Sequence, residues 1–141
     1  MRTGAPATAR SAYYDRNPLT IQLAVSQLLG PHSWTQHVVY TVPANRKATI
    51  EYCELSLERW PLQVTTLQQV WFAFEIQTVG GGWAIVSHVV LWTQSPTQRS
   101  VEHSQGGTLN AGDTAAMYSF DNCTGGQCYY TGYVKLLEFD A

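Results

Sequence analysis

Four histidines, three cysteines and ten acidic residues are the groups in this 141-residue chain that could hold a metal, move a proton or attack a carbonyl. Their spacing argues against most of that chemistry. His32, His37, His88 and His103 are dispersed, without the close pairing along a strand or helix that builds a metal-ligand cluster. His37 and His88 sit beside Val38 and Val89 in apolar runs, where hydrogen-bonded structural histidines are expected. Glu102-His103-Ser104 gathers a Ser/His/acid set in sequence, but such triads are assembled in space. Gly80-Gly81-Gly82 runs into Trp83 instead of Lys-Ser/Thr and a helix, so it is no phosphate loop. Asp113 and Asp121 fall in separate loops, a thin basis for a calcium site. The expectation is a non-enzyme with no catalytic residue, no metal and no cofactor.

Two sets of residues remain as candidates. Cys123 and Cys128 bracket Thr-Gly-Gly-Gln and are a candidate disulfide if their flanking strands form a hairpin. Cys53, alternating with Glu51 and Leu55, reads as a small buried apolar residue. The aromatic residues Trp34, Trp60, Trp83, Tyr129 and Tyr130 lie near strand ends or in loops. Trp83, Tyr129 and Tyr130 are the candidates for stacking on a ligand such as a sugar ring, which would make the chain a carbohydrate-binding or receptor-binding module. The same aromatics would equally fill a sandwich core or a subunit interface. Asn122-Cys123-Thr124 fits a glycosylation sequon. Residues 1–18 carry three arginines and no apolar run of the secretory type, so the sequon is expected to stay unused.

The elements that must carry these groups are strands. Ile21, Leu23 and Val25 alternate with Gln22, Ala24 and Ser26, the period-2 pattern of a half-buried strand. Further strands are expected over 34–42, 47–59, 70–76, 84–93, 98–103, 115–120 and 127–139. Val79-Gly80-Gly81-Gly82-Trp83 reads as the turn of an antiparallel hairpin. A helix over 55–69 is disfavoured by Pro61 and the β-branched Val64-Thr65-Thr66. About eight strands, with turn signals every 10 to 15 residues or so, predict an all-β, antiparallel sandwich or barrel and argue against a parallel α/β sheet. Its domain covers 19–141. Residues 1–18, without periodicity, read as an extended N-terminal arm.

Charged residues make up 13% of the chain, against roughly 25% in an average soluble protein. That fits either a β-rich protein with an uncharged polar surface or, since interface cores are depleted in charge and enriched in aromatics, a surface much of which meets other protein. A net charge of −2 with no basic stripe gives no reason to expect nucleic acid. No stretch approaches the roughly 18 apolar residues of a membrane helix, and no membrane partner is expected.

Two short motifs carry a resemblance. Val42-Pro43-Ala44-Asn45 followed by Ala48 and Ile50 resembles a turn near the start of many small phage structural jelly rolls. Leu109-Asn110-Ala111-Gly112-Asp113 resembles the turn before their penultimate strand, which trimeric jelly rolls of the tumour-necrosis-factor and C1q type share. Gly132 is similar to the glycine in the final strand of the C1q type. With an arm in front of it, the domain resembles phage capsid decoration (cement) and minor virion proteins. That resemblance implies an all-β, jelly-roll-like antiparallel β-sandwich, and a homotrimer on the capsid surface of a virion, with the major capsid protein or another virion protein as partner. The arm would staple neighbouring subunits, with Tyr13 and Tyr14 as aromatic anchors and Arg2, Arg10 and Arg16 as charged contacts.

Overall fold

The computed structural model describes residues 16–60, 68–92, 99–104 and 107–141, with backbone alone for Trp60, Trp92 and 99–104. Among the described residues nine strands run in chain order: β1 (Leu19–Leu29), β2 (His32–Thr41), β3 (Arg46–Trp60), β4 (Gln69–Gln77), β5 (Trp83–Trp92), β6 (Arg99–Ser104), β7 (Thr108–Leu109), β8 (Thr114–Asp121) and β9 (Gln127–Asp140). One sheet has the order β1-β9-β3-β6, with short β7 also on β3; the other has β2-β8-β4-β5. Every pairing is antiparallel. Consecutive strands mostly fall in opposite sheets, and this interleaved order is the jelly roll. The expected β4–β5 hairpin is present, its turn closed by Gly81 N–H donating to the Thr78 carbonyl. Residues 55–60 continue β3 and are strand, not helix.

Alternation explains which face each residue takes. Along β4, Val70, Phe72, Phe74 and Ile76 are buried in the sandwich, while Trp71, Glu75 and Gln77 are only partly covered on the other face. Along β9, Cys128, Tyr130, Gly132, Val134 and Leu136 point inward, between the more exposed Tyr129, Thr131, Tyr133, Lys135 and Leu137. The core gathers Leu55, Leu57, Phe72, Phe74, Leu91, Met117, Tyr130 and Leu136 from both sheets.

The two turns behind the resemblance meet in space. Val42 N–H donates to the Asp113 carbonyl at 2.9 Å, and Gly112 N–H donates to the Val42 carbonyl at 2.9 Å. The buried Asp113 carboxylate then accepts from Asn110 N–H at 2.8 Å and from Val79 N–H at 3.1 Å. Three reversals are thereby tied together at one end of the sandwich. Gly112 makes this possible: its φ of +87° is disfavoured for other residues, and a Cβ there would come within 2.6 Å of Val79.

The chain enters at the same end. Arg16 carbonyl accepts from Asp140 N–H at 2.7 Å, and Asn17 Nδ2 donates to the Asp140 carboxylate at 2.6 Å. Arg46 binds Asp140, Glu138 (2.7 Å) and the Asn17 carbonyl (2.9 Å). The last residues of the expected arm are thus bonded to the final strand. Arg2, Arg10, Tyr13 and Tyr14 lie outside the described residues.

Gly132 occupies a close approach between the sheets. A Cβ there would lie 2.6 Å from Met117 Sδ and 2.9 Å from Phe72 Cζ. Gly132→Ala should lower stability by about 1–3 kcal/mol through overpacking, read as an earlier urea midpoint at unchanged m-value. An unchanged midpoint would mean that the sheets can separate locally at no cost.

Candidate functional site

The outer face of the β2-β8-β4-β5 sheet is the unusual surface of this molecule. Trp34 on β2 stacks on Phe120 of β8 at 5.3 Å between ring centroids. Trp71 of β4 lies flat against His88 of β5 at 5.2 Å. Trp83, which opens β5, meets Tyr118 of β8 edge to face at 6.0 Å. Trp34 and Trp83 are each 55% exposed, and Val39 and Ile85 are exposed on the same sheet. Apolar surface of this extent marks an interaction site more often than a bare exterior.

Trp34, Trp83, Tyr118 and Glu75 line a shallow cleft of about 270 Å³ within this face. Glu75 alternates with Ala73 and Gln77 on the outward side of β4, which brings its carboxyl between rings from three strands. Among the described residues it has no hydrogen-bond or ion-pair partner. Burial pushes its carboxyl above the usual carboxylate range. Burial and the nearby Glu75 charge push the Tyr118 phenol up as well. The Tyr118 hydroxyl donates to Gln36 Oε1 at 2.9 Å, which fixes the ring from the β2 side.

The candidate stacking aromatics do not form one site. Trp83 belongs to the cleft. Tyr129 is 37% exposed on the outer side of the other sheet, where its hydroxyl is hydrogen-bonded to Ser26. Tyr130 is fully buried and offers a ligand no face, because its position in β9 points inward with Val134 and Leu136. Glu75 and Tyr118 were not among the candidates. The available signal was a lone acid on the outward parity of an otherwise apolar strand.

Cys123 and Cys128 stand as two buried thiols and not as a disulfide. Strands β8 and β9 lie in different sheets, so the loop between them crosses the sandwich and closes no hairpin. Beneath it the fully buried Arg59 donates to the Asp121 carboxylate at 2.8 Å and to the Gly125 carbonyl. Asp121 also accepts from Cys123 N–H at 2.9 Å. Burial and the Asp121 carboxylate push the Cys123 thiol up to about 12, and burial pushes Cys128 up to about 11. Cys53 is buried too.

His32 and His37 are hydrogen-bonded structural residues at the open edge between β1 and β2, while His88 lies on β5 against Trp71. His32 Nε2 contacts Ser119 Oγ at 2.7 Å, and its Nδ1 contacts the Gly30 carbonyl at 2.8 Å. His37 reaches the same hydroxyl and Gln27 Oε1. Burial and the neighbouring His32 hold His37 below its ordinary titration range. Ser119 is fully buried and cannot be approached as a nucleophile. Asp113 and Asp121 stand at opposite ends of β8, too far apart to share an ion. No group of three or more metal-ligating side chains occurs among the described residues. The side chains of Glu102, His103 and Ser104 lie outside the description.

Two outcomes are expected. Iodoacetamide at mildly alkaline pH should leave all three cysteines unmodified in the folded protein and label all three after denaturation, as counted by mass spectrometry. Rapid native labelling of Cys123 or Cys128 would contradict their burial. In dilute solution Glu75→Gln should raise the melting temperature at about pH 7, where burial penalises the ionised form. That gain should fade as the pH falls through the raised Glu75 range and the wild-type carboxyl takes up a proton. A lower melting temperature at neutral pH would show that the carboxylate is already compensated.

No protein-family model matches the chain, and no curated protein sequence does. Solved structures are similar along most of it. A carbohydrate-binding module, TmCBM61 in complex with β-1,4-galactotriose, is 9% identical with a TM-score of 0.45, over 89% of each chain. The BFDV capsid protein, in a decameric form, is 10% identical with a TM-score of 0.41, over 87% of this chain and 99% of that one. The capsid of Helicobacter pylori bacteriophage KHP30 contributes a chain 11% identical with a TM-score of 0.41, over 86% of this chain and 92% of that one. At these identities and scores none of them assigns a function.

Proposed function

We propose that the protein is a non-enzymatic structural module of a virus particle, a jelly roll that associates as a homotrimer on a capsid surface. The observation that carries this reading is the outer face of the β2-β8-β4-β5 sheet, where Trp34, Val39, Trp83 and Ile85 are exposed together. Burying such rings against protein recovers roughly 25 cal/mol per Å² of apolar area, and aromatic anchors dominate interface energetics. The turns around Pro43 and Gly112 support the viral assignment through their resemblance to phage jelly rolls. The arm, residues 1–18 with its end bonded to the final strand through Arg16 and Asn17, is the segment proposed to reach over neighbouring subunits.

Sedimentation equilibrium tests this directly. The wild-type chain should run as three copies, and Trp34→Ser/Trp83→Ser should run as one copy with an unchanged far-ultraviolet circular dichroism spectrum. A monomeric wild type would sink the trimer.

A second reading has its own observation. Trp34 and Trp83 line a cleft whose other walls are a carboxylate and a phenol, the pairing of flat apolar faces with polar groups that a sugar requires. If the module binds glycans, a glycan array should show binding that Trp83→Ala abolishes and Tyr129→Ala leaves intact. No signal on any glycan would remove this reading.

A further inference from the structure

Glu75 poses a physical problem. A carboxylate partly withdrawn from water, with no cation near it among the described residues, raises the free energy of the folded chain. Its surroundings are three aromatic side chains, Trp34, Trp83 and Tyr118. The negative faces of aromatic rings do nothing to offset the charge of a carboxylate, but they attract a cation. A cleft made of rings and one unpaired acid is therefore suited to an organic cation. A planar guanidinium suits it best, because it can stack on indole while bonding a carboxylate through two N–H groups.

The described cations of the chain are engaged elsewhere or remote from the cleft. Arg46 and Arg59 are in ion pairs, Lys135 is 3.2 Å from Glu51, Arg16 lies over the Phe139 ring at 5.9 Å, and Lys47 stands on β3 in the opposite sheet. The Arg99 side chain is outside the described residues. Arg2 and Arg10 belong to the fifteen residues that precede Arg16. Fifteen residues can extend about 50 Å, more than the width of a domain of this size. They join the described chain at the end of the sandwich where β4 turns into Trp83. Charge complementarity and reach coincide.

We infer that the Trp34–Glu75–Trp83–Tyr118 cleft is an arginine-binding site, occupied by Arg2 or Arg10 from the N-terminal arm of a second copy of the chain. The inference rests on the self-association reading above and names its contact. The contact is heterologous: the arm of one copy enters the cleft of the next, a geometry that closes into a ring when the rotation permits.

Two measurements on the full-length protein test it. Tryptophan fluorescence of the wild type should change saturably with Nα-acetylarginine amide and not with the uncharged Nα-acetylcitrulline amide. Glu75→Gln should weaken arginine binding at least ten-fold. Equal binding of both probes, or full binding by Glu75→Gln, would overturn the arginine site, as would saturation by a neutral oligosaccharide alone. Sedimentation then addresses the second copy. Glu75→Gln and the Arg2→Gln/Arg10→Gln double variant should each be largely monomeric alone, yet form a one-to-one pair when mixed, since one supplies the intact arm and the other the intact cleft. Variants that associate as well as wild type, or a mixture that stays monomeric, would overturn the arm as occupant. A monomeric wild type that still binds the arginine probe would overturn the second copy together with the self-association reading, and leave the cleft's ligand class standing.

Discussion

The buried Asp113 carboxylate holds the arrangement on which the outer face depends. By accepting from Asn110 and Val79 while its own backbone bonds Val42, it joins three chain reversals and thereby fixes where β2 and β4 end and where β5 and β8 begin. Register in a sheet has a period of two, so a slip of one residue exchanges the faces of a strand. With β8 and β4 locked at this end, Tyr118 and Glu75 face out while Met117 and Phe74 face in. The cleft inherits its geometry from a hydrogen-bonded turn assembly at the edge of the domain.

The two outer faces differ in kind. On the β1-β9-β3-β6 side, Lys135 pairs with Glu51, Tyr129 shares a hydrogen bond with Ser26, and Tyr52 bonds Glu54. Those groups are matched among themselves and suit contact with water. On the opposite sheet the exposed groups are uncharged, with Trp34, Val39, Trp83 and Ile85 the large apolar ones, beside one unmatched acid. A domain with so few charges can leave one face nearly free of them, and the structure shows which face that is.

Much of the fold is legible along the chain, because alternation is a local property. The strands, the Val79-to-Trp83 hairpin turn and the reversals at Pro43 and Gly112 all follow from side-chain periodicity and from what proline and glycine permit. The inward parity of Val134 and Leu136 also dictates that Tyr130 is buried and Tyr129 is not, so the strand pattern itself argues against a stacking role for Tyr130. Sheet membership is different. Nothing local distinguishes a β8–β9 hairpin from a crossing between sheets, and the expected Cys123–Cys128 bridge rested on that distinction. The cleft is equally non-local: Trp34, Glu75, Trp83 and Tyr118 come from four strands, and Glu75 is isolated only once those strands are placed.

Strand β2 forms the margin of its sheet and carries two breaks in register, between His32 and Thr35 and between Gln36 and Val38. An edge interrupted in this way makes a poor template for another chain's backbone, since successive N–H and C=O groups fall out of step with a straight partner. Open-ended polymerisation through strand addition is obstructed there. The irregular margin thus works against fibre formation at this edge without touching the broad outer face of the same sheet.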